Sequence, residues 1–262
     1  MDTTTDAVIA TAPSKAQSRP RLWEIDVLRG LAVAAMIFFH FMWDLSFLRL
    51  SDVPIYSDGW QALARGIGTT FMFVMGLSLT LDAARLANNP RDLLKRHLRR
   101  GLIILACGLA VTLGTLLFVN QSYVRFGILH LAGTSILLAY PFNRAKPWVS
   151  LIAGAVIIAL GSVVGFINTT TELLVPLGIY PKSIDMVDYY PLVPWFGVVL
   201  LGIAAGKWLY PKATRVFSLP DLGNNPIAKA LRFLGRNSLA VYLIHQPMLI
   251  GLLMAYTFIA PK

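Results

Sequence analysis

Apolar and polar positions along this chain separate into long blocks instead of alternating at short range. Seven stretches are almost purely apolar: Val27–Leu48, Ala62–Ala84, Gly101–Asn120, Val124–Phe142, Trp148–Asn168, Leu192–Tyr210 and Ser238–Ala260. About 20 residues at 1.5 Å each span the ~30 Å hydrocarbon core of a bilayer. Barrel strands are about half that length, and an open strand edge finds no hydrogen-bond partner in lipid. The pattern predicts an all-α, polytopic membrane helical bundle of about seven transmembrane helices.

Composition narrows the class further. The chain is 56% hydrophobic and only 14% charged, against roughly 25% charged in soluble domains, which excludes a soluble globular protein. Residues 1–20, rich in Ala, Thr and Ser, lack the basic start and apolar core of a signal peptide and read as a disordered cytoplasmic tail. That leaves 21–262 as one transmembrane domain. The single cysteine, Cys107, lies inside the third stretch and precludes an internal disulfide.

The net charge of +10 is mostly an orientation signal. Of 23 lysines and arginines, eighteen fall on the N-terminal tail and the even-numbered loops and five on the other side. Basic residues stay cytoplasmic, so the N-terminus is expected inside and the C-terminus outside, in a multi-pass protein of the cell inner membrane. No aqueous segment is large enough for a nucleic-acid partner. Asn88-Asn89-Pro90 and Asn224-Asn225-Pro226 each precede a basic stretch and then a span. Both suit a helix start, with Asn as cap and Pro in the first turn.

Ionisable residues inside spans cost several kcal/mol, roughly 2.5–3.5 at the centre, so those retained are candidates for function. In the first span, Asp26, Arg29, His40 and Asp44 fall within a sector of about 60° on a helix. This polar stripe is expected to face the bundle interior. Asp26 and Arg29 read as a structural ion pair or as part of a binding site. His40 and Asp44 read as a buried packing pair or as a general base with the carboxylate that orients it. Arg65 stands near the outer end of the second span. Arg125 and His130 open the fourth, about 140° apart on a helix and so not aimed at one point. Asp188 precedes the sixth among tyrosines and tryptophan that suit an interface. In the seventh, Pro247 cannot donate to the carbonyl of Leu243, which predicts a local break beside His245. His97, among arginines, reads as an interfacial charge. No Cys/His cluster has metal-ligand spacing, and no metal is expected.

Six phrases stand in a recognisable order: IDVLRGLA (25–32), FMFVMGLSL (71–79), RFGILHLAG (125–133), DYYPLVPWFG (188–197) with VLLGIAAG (199–206), and LGRNSLAVYLIHQP (234–247). Together they resemble the heparan-alpha-glucosaminide N-acetyltransferase catalytic domain, in its compact bacterial branch, within the wider transmembrane acyltransferase superfamily. The likeness runs from about Arg21 to Ile250. It implies acetyl-CoA as a cytoplasmic acyl donor and a sugar or envelope acceptor on the outer side. In the lysosomal relative an asparagine stands at the position of His40 and a histidine follows in the first luminal loop. Here the loop from Arg49 to Trp60 has no histidine, so that pattern is not reproduced residue for residue.

Predicted depth and helical phase, taken with the resemblance, assign roles. His40 is the expected general base, Asp44 its orienting carboxylate and His245 a second catalytic group. Arg29, Arg99, Arg100, Arg236 and Asn237 are placed to meet the phosphates of CoA. Arg65, Arg125, His130 and Asp188 are placed on the acceptor side. The expected partners are the lipid bilayer, acyl-CoA and a carbohydrate or lipid-linked acceptor; a homodimer stays open. The alternative is a multi-helix transporter or proton-coupled permease, since intramembrane His, Asp and Arg also mark ion and substrate pathways.

Overall fold

A computed structural model of the chain describes residues 22–118, 122–220, 222 and 225–259. The expected tail, and the positions of Asn120, Asn224 and Ala260, lie outside the described residues. Among the described residues there are eight α-helices and no strand: α1 Trp23–Phe47, α2 Asp58–Arg85, α3 Pro90–Phe118, α4 Ile128–Arg144, α5 Pro147–Val164, α6 Leu192–Leu209, α7 Pro226–Arg236 and α8 Ser238–Ile259.

The chain is a polytopic helical bundle. Six helices (α1, α2, α3, α5, α6 and α8) are long and apolar enough to cross a membrane. The fourth predicted stretch is also helical, but α4 has 17 residues and starts four later than its apolar pattern. Thr112 Oγ1 donates to Val124 O at 2.6 Å, and Val124 N donates to Thr115 Oγ1 at 3.0 Å. These bonds hold the backbone before α4 against α3. The third stretch departs in the opposite sense. α3 begins at Pro90, and the following Arg, Leu and Lys residues are strong helix formers that extend it below the apolar run. The predicted cap at α7 is present, with Asn225 Oδ1 accepting from Ile227 N and Ala228 N and Pro226 opening the helix. The predicted break at Pro247 is not. α8 stays helical from Ser238 to Ile259 with the proline inside.

The core lies where α6 packs between α2, α4 and α5. Met72, Met75, Leu79, Leu131, Ile136, Val199, Leu200 and Ile203 fill it. α2 and α6 approach until their backbones touch. A Cβ on Gly76 would overlap Val199 O, and one on Gly202 would overlap Phe73 O. With lipid tails as apolar as leucine, close backbone packing of small residues drives such contacts. α7 packs antiparallel on the first half of α1, Gly30 against the Leu231 backbone and Gly235 against that of Asp26. α8 follows α1 toward the opposite end.

Candidate functional site

Two histidines meet where α8 lies on α1. His245 Nε2 is 3.2 Å from His40 Nδ1, with ring centroids 4.9 Å apart. Their backbone partners fix the tautomers. A carbonyl only accepts, so His40 Nδ1–H donates to Met36 O at 3.0 Å. His245 Nδ1–H likewise donates to Tyr242 O at 2.7 Å. His245 Nε2 therefore accepts a share of the His40 Nδ1–H, and His40 Nε2 keeps the pair's remaining lone pair.

One turn further along α1, Asp44 is fully buried. Its Oδ1 accepts from Gln246 Nε2 at 2.6 Å, so the carboxylate meets α8 and not His40. The orienting role expected for Asp44 falls to Met36 O and His245. Asp44 Oδ2 and Gln246 Oε1 are buried acceptors with no hydrogen-bond partner among the described residues. Such atoms are uncommon in folded proteins, and each calls for a reason.

Toward the end opposite the chain's basic clusters, α8 also reaches Asp188. Tyr242 Oη donates to Asp188 Oδ2 at 2.8 Å, and Ile128 N donates to the same oxygen at 3.2 Å. Asp188 thus caps the N-terminus of α4 from a left-handed backbone, φ 50°, a strained state for a residue with a side chain. Burial raises its carboxyl to about 6, while the Tyr242 and Ile128 bonds pull it down. His130 closes the same turn: its Nδ1 accepts from Gly127 N at 3.2 Å, and its Nε2 lies 3.4 Å from Thr112 Oγ1.

At the basic end, two carboxylates are each shared by two arginines. Asp26 Oδ1 lies 3.4 Å from Arg29 Nη1, and its Oδ2 accepts from Arg236 Nε at 3.1 Å. Arg29 also donates to Ser78 Oγ at 2.5 Å and to Gly235 O at 3.3 Å, which ties α1 to α2 and α7. Asp82, one turn from Ser78 on α2, pairs with Arg96 at 3.5 Å and Arg100 at 3.4 Å from α3. Each cluster keeps one positive charge in excess.

The structure thus brings His40, His245 and Asp44 together, and separately Arg29 with Arg236. It joins Asp188 to the histidines through Tyr242. Other expected site residues stand apart. Arg65 and Arg99 are exposed. Asn237 Nδ2 donates to Phe233 O at the end of α7. Arg125 pairs with Glu172 at 2.9 Å, lies over the Tyr123 ring and borders a cavity of about 260 Å³ with Ser122, Ser183 and Asp185. His97 is no interfacial charge: it is 2% exposed, with Nδ1 donating to Leu93 O and Nε2 3.1 Å from Asn143 Nδ2. Sequence reasoning missed Tyr242, Gln246 and Ser78. The i, i+4 spacing of Tyr242 and Gln246 around His245 was the available signal for the first two.

The comparisons with known proteins bear on the whole chain. No curated protein and no solved structure matches it. A family model described as heparan-alpha-glucosaminide N-acetyltransferase, catalytic, matches residues 21–247, from before α1 to His245-Gln246-Pro247 in α8. Nearly all the helices and every cluster described above fall within that match, and the chain belongs to this membrane acetyltransferase family.

Proposed function

We propose that this protein moves an acyl group, acetyl by family, from cytoplasmic acyl-CoA to a hydroxyl or amine of a sugar or envelope acceptor on the outer side. The observation that carries this reading is the His40–His245 pair with its single remaining basic nitrogen, beside two buried acceptor oxygens that lack donors among the described residues. An incoming hydroxyl or amine is the kind of donor that Asp44 Oδ2 and Gln246 Oε1 lack. His40 Nε2 takes the acceptor's proton as its oxygen or nitrogen bonds to the thioester carbonyl carbon. The C–S bond breaks, and the proton passes to the departing thiolate. As His40 becomes imidazolium, its Nδ1–H bond to His245 Nε2 strengthens, so His245 does the work that a carboxylate does in other bases. The excess charge on the Arg29–Asp26–Arg236 and Arg96–Asp82–Arg100 clusters suits the phosphates of CoA. Asp188 and Tyr242 face the acceptor side.

A second reading rests on the same 3.2 Å contact, since two histidines in register also pass a proton along a permeation path. Acetyl-CoA binding to the purified protein, followed by calorimetry, separates the two. The expected result is specific binding that Arg29→Ala weakens at least tenfold. His40→Ala should retain that binding while transfer falls by about 10²–10⁴-fold, the usual worth of a general base. A folded protein that binds no acyl-CoA would overturn the transferase in favour of the permease. Full transfer by His40→Ala would remove only the base assignment.

A further inference from the structure

A second basic feature stands apart from both arginine–carboxylate clusters. On the face of α2 turned away from Ser78, a cavity of about 400 Å³ opens between the ends of α2, α4 and α6 and the start of α3. Its size falls within the roughly 300–1,000 Å³ usual for small-molecule sites. Arg144, Lys207 and Lys212 line it together with Asn143, Tyr210 and Thr80, and no carboxylate lines it among the described residues.

Three observations give this cavity a ligand chemistry. The first is charge. Lys207 Nζ donates to Phe142 O at 2.6 Å and to Ala145 O, so its position is set by carbonyls at the end of α4. Arg144 makes a long contact, 3.5 Å, to Tyr140 Oη, and among the described residues it forms no ion pair with a carboxylate. The second is an orphan. Asn143 is 9% exposed, its amide nitrogen faces His97, and its Oδ1 is buried with no hydrogen-bond partner among the described residues. The third is strain. Lys212 and Ala213 both hold left-handed backbone, φ 52° and 60°. Consecutive residues with side chains adopt that state only where surrounding structure enforces it. Here it sets Lys212 in the cavity lining.

We propose that this cavity binds a phosphate ester that also carries a hydroxyl, presented by the headgroup of an anionic phospholipid from the adjoining leaflet. The phosphate meets Arg144, Lys207 and Lys212, and the hydroxyl donates to Asn143 Oδ1. One observation and one general tendency favour lipid over a soluble ester. Exposed Trp208 follows Lys207 in α6, and exposed Trp148 stands in the first turn of α5, just after the end of α4; tryptophans are enriched at headgroup level. Basic pockets between membrane helices are also the usual seats of anionic headgroups. The site lies apart from the His40 pair and does not rest on acyl transfer.

The test is lipid retention by the delipidated full chain, titrated with phosphatidylglycerol and read by native mass spectrometry. One tightly held phosphatidylglycerol is expected per chain, and phosphatidylcholine should bind at least tenfold more weakly. Arg144→Gln with Lys212→Gln should weaken retention at least tenfold, whereas Arg91→Gln with Lys146→Gln, exposed at the same end but outside the cavity, should not. Lys212→Gln alone keeps the test readable should the double variant fold poorly. Equal retention by the wild type and the cavity variants would overturn the site. Displacement of the lipid by millimolar sn-glycerol 3-phosphate would overturn the lipid source and assign a soluble phosphate ester.

Discussion

A histidine whose Nδ1–H is committed to a backbone carbonyl presents one basic lone pair, and both His40 and His245 are built this way. Which of the two keeps that lone pair available is settled by the direction of the contact between them. Asp188 shows a different economy. Held in a left-handed backbone, it accepts hydrogen bonds from Tyr242 Oη and Ile128 N and joins the loop before α6 to α4 and α8. Its carboxyl, raised to about 6 from 3.8, stabilises the fold most below about pH 3.8, and that contribution is lost as pH rises through about 6. Two units correspond to something on the order of 3 kcal/mol at most. Melting of the wild type in detergent should therefore shift downward between pH 4 and pH 6.5, and Asp188→Asn should flatten that slope. An unchanged slope in the variant would assign the pH dependence to other groups.

Between elements, the family phrases pair in space. FMFVMGLSL and VLLGIAAG are the two faces of the α2–α6 contact, through Gly76 and Gly202. IDVLRGLA meets the start of LGRNSLAVYLIHQP through Gly30, Gly235 and the Asp26–Arg236 ion pair. RFGILHLAG and DYYPLVPWFG join where Asp188 caps α4. Each phrase is thus half of a contact as well as a carrier of polar residues. Gly202→Leu should lower the melting temperature markedly, since overpacking a tight contact costs about 1–3 kcal/mol or more. Gly251→Leu, where a Cβ meets nothing within 4 Å, should melt with the wild type. Equal effects from both would mean that the α2–α6 contact yields to bulk.

Across the whole molecule, charge and apolar length act together. The basic clusters and the Lys- and Arg-lined cavity collect at one end, and the Arg125–Glu172 pair and Asp188 lie toward the other. The excess of basic residues predicts that the first end is cytoplasmic. In a Cys107→Ser background, Ser183→Cys should react with an impermeant maleimide added to whole cells, and Lys146→Cys only after permeabilisation. The reverse pattern would invert the topology and, with it, the sides assigned to donor and acceptor.

Length and hydropathy alone determined that this is a helical membrane protein, because lipid admits few other ways to satisfy a backbone across 30 Å. The polar stripe of α1 was legible for the same reason: charge at that depth must face protein, and helical phase says which residues do so together. Which helix the stripe faces was decided by tertiary structure. The 3.6-residue period places His40 and Asp44 on one side of α1 but carries no information about what packs there. Gly30 and Gly235 draw α7 onto α1, and α8 follows with His245 and Gln246 in register. The pairing of Asp44 with Gln246 and of His40 with His245 is a property of that register. The cavity at Asn143 is likewise a product of tertiary structure, since its lining comes from four helix ends and the segment after α6, far apart in the chain.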